Sequence, residues 1–141
     1  RLSDVKMQMD YGTSSISQFI FAEFLDSGLY DEHLAELKKH LIMRRNNALS
    51  VLQKYFHDIA FWNVPSGGFY IWLTFRKKLP WEKLFLTAVQ EKILLNPGNI
   101  YDFCSNNSLR ISYSYLNCAE FEHAAEKLSH IIKNMLQLHT L

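Results

Sequence analysis

Arg110 lies in the middle of an alternating segment and is the residue of this sequence best suited to binding chemistry. Apolar residues alternate with polar ones over residues 109–115, which predicts a strand with Arg110, Ser112 and Ser114 on one face. A guanidinium on a rigid strand can hold a carboxylate through two parallel hydrogen bonds, and neighbouring hydroxyl groups can add contacts. On the pattern alone, an ordinary arginine on a solvated sheet face is the favoured interpretation.

Two glycine-containing turns are the next candidates for a binding site. Gly67 and Gly68 precede an aromatic segment, and their small size can let the backbone approach a ligand closely. Asn96, Pro97 and Gly98 close a short apolar segment and offer the same possibility. Plain turns are the commoner case at both places, and the local pattern leaves the two interpretations open.

Metal and nucleophile chemistry find little support in the sequence. Two pairs of histidines are each spaced seven residues apart, namely His33 with His40 and His123 with His130. Seven residues is about two helical turns, which is too far for a chelating pair. The two cysteines, Cys104 and Cys118, are too few for a disulfide framework or a zinc knuckle. No phosphate-binding loop or nucleophile motif is present either, so we expect no metal and no catalytic residue.

The composition indicates one domain with a packed core. The 141 residues are 48% hydrophobic, and the net charge of +1 gives no strong basic field for nucleic-acid binding. No apolar run has the length of a membrane span, and no signal peptide is visible. We therefore expect a cytoplasmic protein. Because the first residue is Arg1 rather than Met, we also expect a piece of a longer protein.

The periodicity predicts an α/β fold in which helices pack on a small sheet of few strands. Apolar residues recur at spacings of three and four in the predicted helices, whereas β-branched and aromatic residues mark the strands. Asn117 and Glu120 form a capping-box pattern before the last helix. The predicted helices cover residues 15–26, 30–56, 80–92 and 118–138, and the predicted strands lie near residues 69–75, 93–95 and 109–115.

Six strings of residues, taken in order, resemble a known family. They are residues 10–18, 28–34, 44–45, 62–73, 96–98 and 109–115. Their order and spacing resemble the C-terminal part of fold-type I pyridoxal-phosphate (PLP) enzymes, the aminotransferases among them. The sequence is most similar to the MocR-type regulators of the GntR group, in which a winged helix-turn-helix is fused to an aminotransferase-like domain. The resemblance covers nearly the whole chain.

The resemblance implies a domain organisation and a set of site residues. Residues 28–141 match the small C-terminal domain with its long connector helix, and residues 1–27 match the end of the large domain. Arg110 matches the arginine that binds the α-carboxylate of an amino-acid substrate or effector. The candidate pocket-lining residues that follow from the matching strings are Gly67, Gly68, Asn96, Pro97, Gly98 and Ser112.

The same resemblance implies that the cofactor site lies elsewhere in a longer parent protein. Lys6 is not expected to be the cofactor lysine, because the Pro-Gly-x-Arg-x-Gly context of that lysine is missing after it. We therefore expect PLP in the parent and none in this chain, which by itself would be inactive. The implied partners are the parent's large PLP domain and an amino-acid-like effector or substrate. DNA would be contacted only through an N-terminal domain, and the parent would be a homodimer.

Three functions remain open at this point. The chain is the effector-sensing domain of a regulator, the C-terminal domain of a genuine aminotransferase, or an isolated scaffold without a ligand. Residues encoded before Arg1 would separate the first two, because a winged helix-turn-helix there supports the regulator. The effector, the target DNA and the oligomeric state of the chain cannot be inferred from the sequence.

Overall fold

The computed structural model describes residues 2–9, 12, 14–102 and 107–138. The chain divides into two compact units, Arg1–His40 and Leu41–Leu141, and the division falls inside a long helix. Among the described residues, no helix is both long and apolar enough to cross a membrane. Parts of the first matching string and Cys104 lie outside the described residues.

The first unit is helical. It contains α1 (Leu2–Met9), α2 (Ser15–Asp26) and the beginning of α3 (Leu29–Phe56). The helices predicted at 15–26 and 30–56 are confirmed, whereas α1 lies in a stretch without a clear period. Gly28 has a φ of +80°, a left-handed conformation that favours glycine and follows the end of α2 at Asp26, the end that the sequence predicted.

The second unit contains a three-stranded antiparallel sheet. Its strands are β1 (Ala60–Trp62), β2 (Tyr70–Phe75) and β3 (Ser108–Ser112), in the order β1-β2-β3. The register places Trp72 opposite Arg110 and Tyr70 opposite Ser112. The predicted α/β fold is confirmed, and its sheet is antiparallel. β1 was not predicted, because three residues are too few to show an alternating pattern.

Helices cover one face of this sheet and form the core. They are the second half of α3, α4 (Trp81–Gln90) and α6 (Cys118–Leu138), and a short helix α5 (Asn99–Asp102) precedes β3. The buried face of the sheet presents Ile71, Leu73 and Leu109, each at most 1% exposed. Alternation along the strands therefore leaves Arg110 and its cross-strand neighbours on the other, open face.

The strand predicted at residues 93–95 is wrong. The Ile93 N–H donates to the Ala88 carbonyl at 2.8 Å and the Lys92 N–H donates to the Val89 carbonyl at 2.9 Å. With Lys92 at a φ of 62°, these bonds form a Schellman cap that closes α4. The Ile93 N–H is therefore engaged in the hydrogen bond that closes α4 rather than in a strand pairing. The chain then reaches the sheet at residues 96–98, where an isolated bridge pairs Pro97 with Leu109.

The strand predicted at 109–115 is shorter than expected. β3 ends at Ser112, and Tyr115 is 87% exposed rather than in line with Leu109. The Arg44 guanidinium donates to the Ser114 carbonyl, which fixes the chain after the strand. Arg45 donates to the Pro65 carbonyl at 3.3 Å. The adjacent arginines of α3 therefore each hold one loop.

The predicted capping box at the start of α6 is confirmed. The Asn117 side-chain oxygen accepts from the Glu120 N–H at 2.9 Å, and the Glu120 carboxylate accepts from the Asn117 N–H at 3.0 Å. These reciprocal bonds satisfy donors that a helix start would leave unpaired. They set the start of α6 at Cys118, directly after the chain leaves β3.

Candidate functional site

Arg110 lies on the open face of the sheet between aromatic rings. Its guanidinium carbon lies 4.0 Å from the centroid of the Tyr70 ring and 4.0 Å from the centroid of the Tyr101 ring. Tyr70 belongs to β2, which pairs with one edge of β3. Tyr101 belongs to α5, which directly follows the segment around Pro97 that bridges the other edge of β3. Trp72, directly opposite Arg110, makes an edge contact with Tyr101 at a centroid distance of 6.3 Å.

One donor of this arginine lacks a partner. Arg110 Nε is buried, and its N–H donates to no acceptor among the residues that the structure describes. An unpaired buried donor costs about 1–3 kcal/mol, more when the group is charged. Native proteins pair nearly all such groups, so an exception calls for an explanation. A carboxylate arriving at the edge of the guanidinium would supply the missing acceptor.

Asn96 connects the backbone of Arg110 to Tyr101. Its carbonyl accepts the Arg110 N–H at 2.9 Å. Its side-chain oxygen accepts the Tyr101 hydroxyl at 3.4 Å. The structure therefore brings together two predicted site residues, Asn96 and Arg110, and adds a tyrosine that the sequence did not indicate.

A cavity of about 330 Å³ lies between β3, the segment 92–96 and α6. Among the predicted site residues, Asn96, Arg110 and Ser112 line it. The Ser112 hydroxyl lies 3.2 Å from that of Ser114, as expected for residues that share a face. The remaining wall is largely apolar, with Phe121 and Leu128 of α6 among its residues. The cavity thus joins two basic residues, Lys92 and Arg110, and a few polar groups to an apolar wall, which is typical of small-molecule sites.

Gly67 and Gly68 do not line this cavity. Gly68 has a φ of +82°, and its carbonyl accepts the buried Tyr113 hydroxyl at 2.6 Å. A Cβ added at either glycine would meet nothing within 4 Å. The geometry within the described residues is therefore that of a turn that needs glycine for its backbone conformation at Gly68.

Pro97 and Gly98 also lie outside the cavity wall, at the edge of β3. Pro97 forms the isolated bridge to Leu109, and the Gly98 N–H donates to the Ser108 carbonyl at 2.8 Å. Together they cover an edge that would otherwise expose unpaired backbone groups. The chain then continues into α5, where the Tyr101 ring contacts the Arg110 guanidinium.

The tyrosines around Arg110 are the functional candidates that sequence reasoning missed. Tyr70 could have been found, because alternation in β2 and antiparallel pairing with β3 place it on the face of Arg110. No local pattern identifies Tyr101. Its helix has four residues and follows a turn, so its position depends on tertiary structure alone.

Sequence comparison assigns the chain to a family. The family model described as aminotransferase class I and II matches residues 2–128. The chain belongs to this aminotransferase family. Solved members share its fold: LysN, an α-aminoadipate aminotransferase from Thermus thermophilus, superposes with a TM-score of 0.84 at 25% identity. That match covers 96% of this chain and 35% of LysN. Kynurenine aminotransferase from Pyrococcus horikoshii gives 0.83 at 23% identity over 92% of this chain and 33% of its own.

Curated relatives of this aminotransferase-family chain are regulators. The uncharacterized HTH-type transcriptional regulator YisV of Bacillus subtilis is 48% identical over 122 residues, which is 86% of this chain and 25% of YisV. The HTH-type transcriptional regulator NorG of Staphylococcus aureus is 39% identical over 136 residues, which is 96% of this chain and 30% of NorG. The chain thus spans less than a third of the length of these relatives. The expected resemblance to fold-type I aminotransferases and to helix-turn-helix regulators is confirmed.

Proposed function

We propose that this chain is the effector-binding, aminotransferase-like part of a PLP-dependent transcriptional regulator, and that Arg110 binds the effector's carboxylate. The observation that carries the proposal is the buried Nε of Arg110, which has no hydrogen-bond partner among the described residues. The regulators YisV and NorG, at 48% and 39% identity, support the regulatory role.

The chemistry around Arg110 fits a carboxylate better than it fits the cofactor. PLP needs a lysine amine for its aldehyde and several donors for its phosphate. The rings of Tyr70 and Tyr101 contact the guanidinium, and the Asn96 amide accepts from the Tyr101 hydroxyl. When bound in the parent, PLP would supply the carbonyl that reacts with an amine. Arg110 would bind and orient the carboxylate of the amino-acid-like ligand.

The parent's other properties belong to the same proposal. DNA would be bound by a helix-turn-helix domain outside this chain, and the parent would work as a homodimer in the cytoplasm. Closure around the effector would then alter DNA binding through the difference in effector affinity between two conformations. The gene segment that encodes the residues before Arg1 tests this directly, because a winged helix-turn-helix is required there.

Titration of the full-length, PLP-loaded protein with a panel of amino acids tests the role of Arg110. Replacing Arg110 by Ala should weaken binding of a carboxylate-bearing ligand by about 2–3 kcal/mol, roughly a hundredfold, because a charge-assisted contact is lost. Arg76→Ala is the matched control, since Arg76 packs over Phe61 and does not line the cavity with Arg110. Unchanged affinity in Arg110→Ala would refute the role.

A genuine aminotransferase is the second candidate, and the aminotransferases among the structural neighbours favour it. The two functions make different demands on the parent. An aminotransferase would turn over amino and keto acids and would need no DNA-binding domain. Steady-state transamination in a full-length protein that lacks a helix-turn-helix would favour this candidate over the regulator.

A further inference from the structure

The rings of Tyr70 and Tyr101 restrict the approach to the Arg110 guanidinium. Both rings lie against the guanidinium, with 4.0 Å between its carbon and each ring centroid. They come from opposite edges of β3, since β2 pairs with one edge and the segment before α5 bridges the other. A guanidinium whose faces are covered by aromatic rings still offers its N–H groups along its edge.

We propose that Tyr70 and Tyr101 are positioning residues that hold the Arg110 guanidinium edge-on toward an incoming planar carboxylate. This inference rests on the proposed function of Arg110. An arginine side chain has several rotatable bonds, and immobilising such a side chain costs roughly two- to tenfold in affinity when binding has to do it. Here the rings order the guanidinium before the ligand arrives.

Tyr101 is itself held in place by Asn96. The Tyr101 hydroxyl donates to the Asn96 side chain at 3.4 Å, and Trp72 packs edge-on against its ring. The Asn96 carbonyl also accepts the Arg110 N–H. Asn96 therefore contacts both the backbone that carries the arginine and the hydroxyl of Tyr101, while Trp72 packs against the ring itself. The ring surface, rather than the hydroxyl, makes the contact with the guanidinium.

Ligand-observed NMR of acetate with the full-length protein tests the proposal, and acetamide serves as the uncharged probe of the same shape. The quantity compared between variants is the part of the acetate binding that is lost in Arg110→Ala. We expect Tyr101→Leu to weaken this binding by about fivefold to tenfold, and Tyr101→Phe to stay within about twofold of the wild type. Acetamide binding should be unaffected in every variant, which distinguishes lost positioning from general damage to the fold.

The outcomes separate this inference from the function on which it rests. If Tyr101→Leu and Tyr70→Leu bind acetate like the wild type while Arg110→Ala does not, the positioning role is wrong and the carboxylate site stands. If Tyr101→Phe loses as much affinity as Tyr101→Leu, the hydroxyl matters rather than the ring, and the inference is again wrong. If Arg110→Ala binds acetate normally, the proposed function itself fails.

Discussion

Replacing Arg110 by Met should leave the ligand-free protein as stable as the wild type, or slightly more stable. The substitution keeps an unbranched apolar stem but removes the buried Nε that lacks a hydrogen-bond partner among the described residues. Relieving an unpaired buried donor should stabilise the fold by about 1–3 kcal/mol. Losing the contacts with Tyr70 and Tyr101 should cost about 0.5–1 kcal/mol each. The net change therefore lies between about 1 kcal/mol against the variant and about 2 kcal/mol in its favour, with a midpoint of about 0.5 kcal/mol in its favour.

Urea denaturation followed by circular dichroism measures this difference, in a buffer without carboxylates. Leu109→Ala is the matched control on the same strand, because Leu109 is 1% exposed and its truncation should cost about 2–5 kcal/mol. A loss of more than about 1.5 kcal/mol in Arg110→Met would refute the reasoning, because Arg110 would then be a structural residue rather than one kept for a ligand.

Three further substitutions test the turns, caps and ion pairs. Gly68→Ala should lower the free energy of unfolding, measured by urea denaturation, by about 1–2 kcal/mol because Gly68 has a left-handed backbone. Gly67→Ala is the control and should lower it far less, because Gly67 is equally open and has no positive φ. Equal losses in the two variants would contradict this. Asn117→Ala should cost about 1 kcal/mol in the same assay by removing the cap of α6, and an unchanged midpoint would count against the capping box. The hydrogen bond from Lys54 holds the pKa of the Glu122 carboxyl below its usual value. The stabilisation that this pair contributes is therefore present at neutral pH and is lost as the pH falls through that lowered pKa. Thermal melts between about pH 2 and 7 should therefore show a shallower acid loss in Glu122→Gln than in the wild type; parallel curves would contradict it.

Long periodic helices were the most predictable part of this fold. α3 and α6 show apolar residues at helical spacing over more than 20 residues, and Asn117 with Glu120 signals the start of α6 through local chemistry. The short apolar segment at 93–95 was ambiguous, because three apolar residues suit a buried strand as well as the end of a helix. The left-handed Lys92 that decides between them carries no sequence signal.

The site was predictable only in part for a similar reason. Alternation along β3 places Arg110 on the polar face, so its candidacy follows from the sequence and from the family resemblance. The contact of Arg110 with the Tyr70 ring joins residues 40 positions apart in the sequence. The contact with the Tyr101 ring depends on the four-residue helix α5. Such a constellation depends on how β2 and α5 meet β3, and single-segment patterns do not encode it.

The central claim is that Arg110 recognises a carboxylate, and a paired-ligand affinity measurement tests it most directly. In the full-length protein, calorimetry would compare the amino acid of the panel that binds most tightly with its own carboxamide, in the wild type and in Arg110→Ala. We predict a preference for the carboxylate of roughly a hundredfold in the wild type and almost none in the variant. The same preference in both proteins would contradict the account.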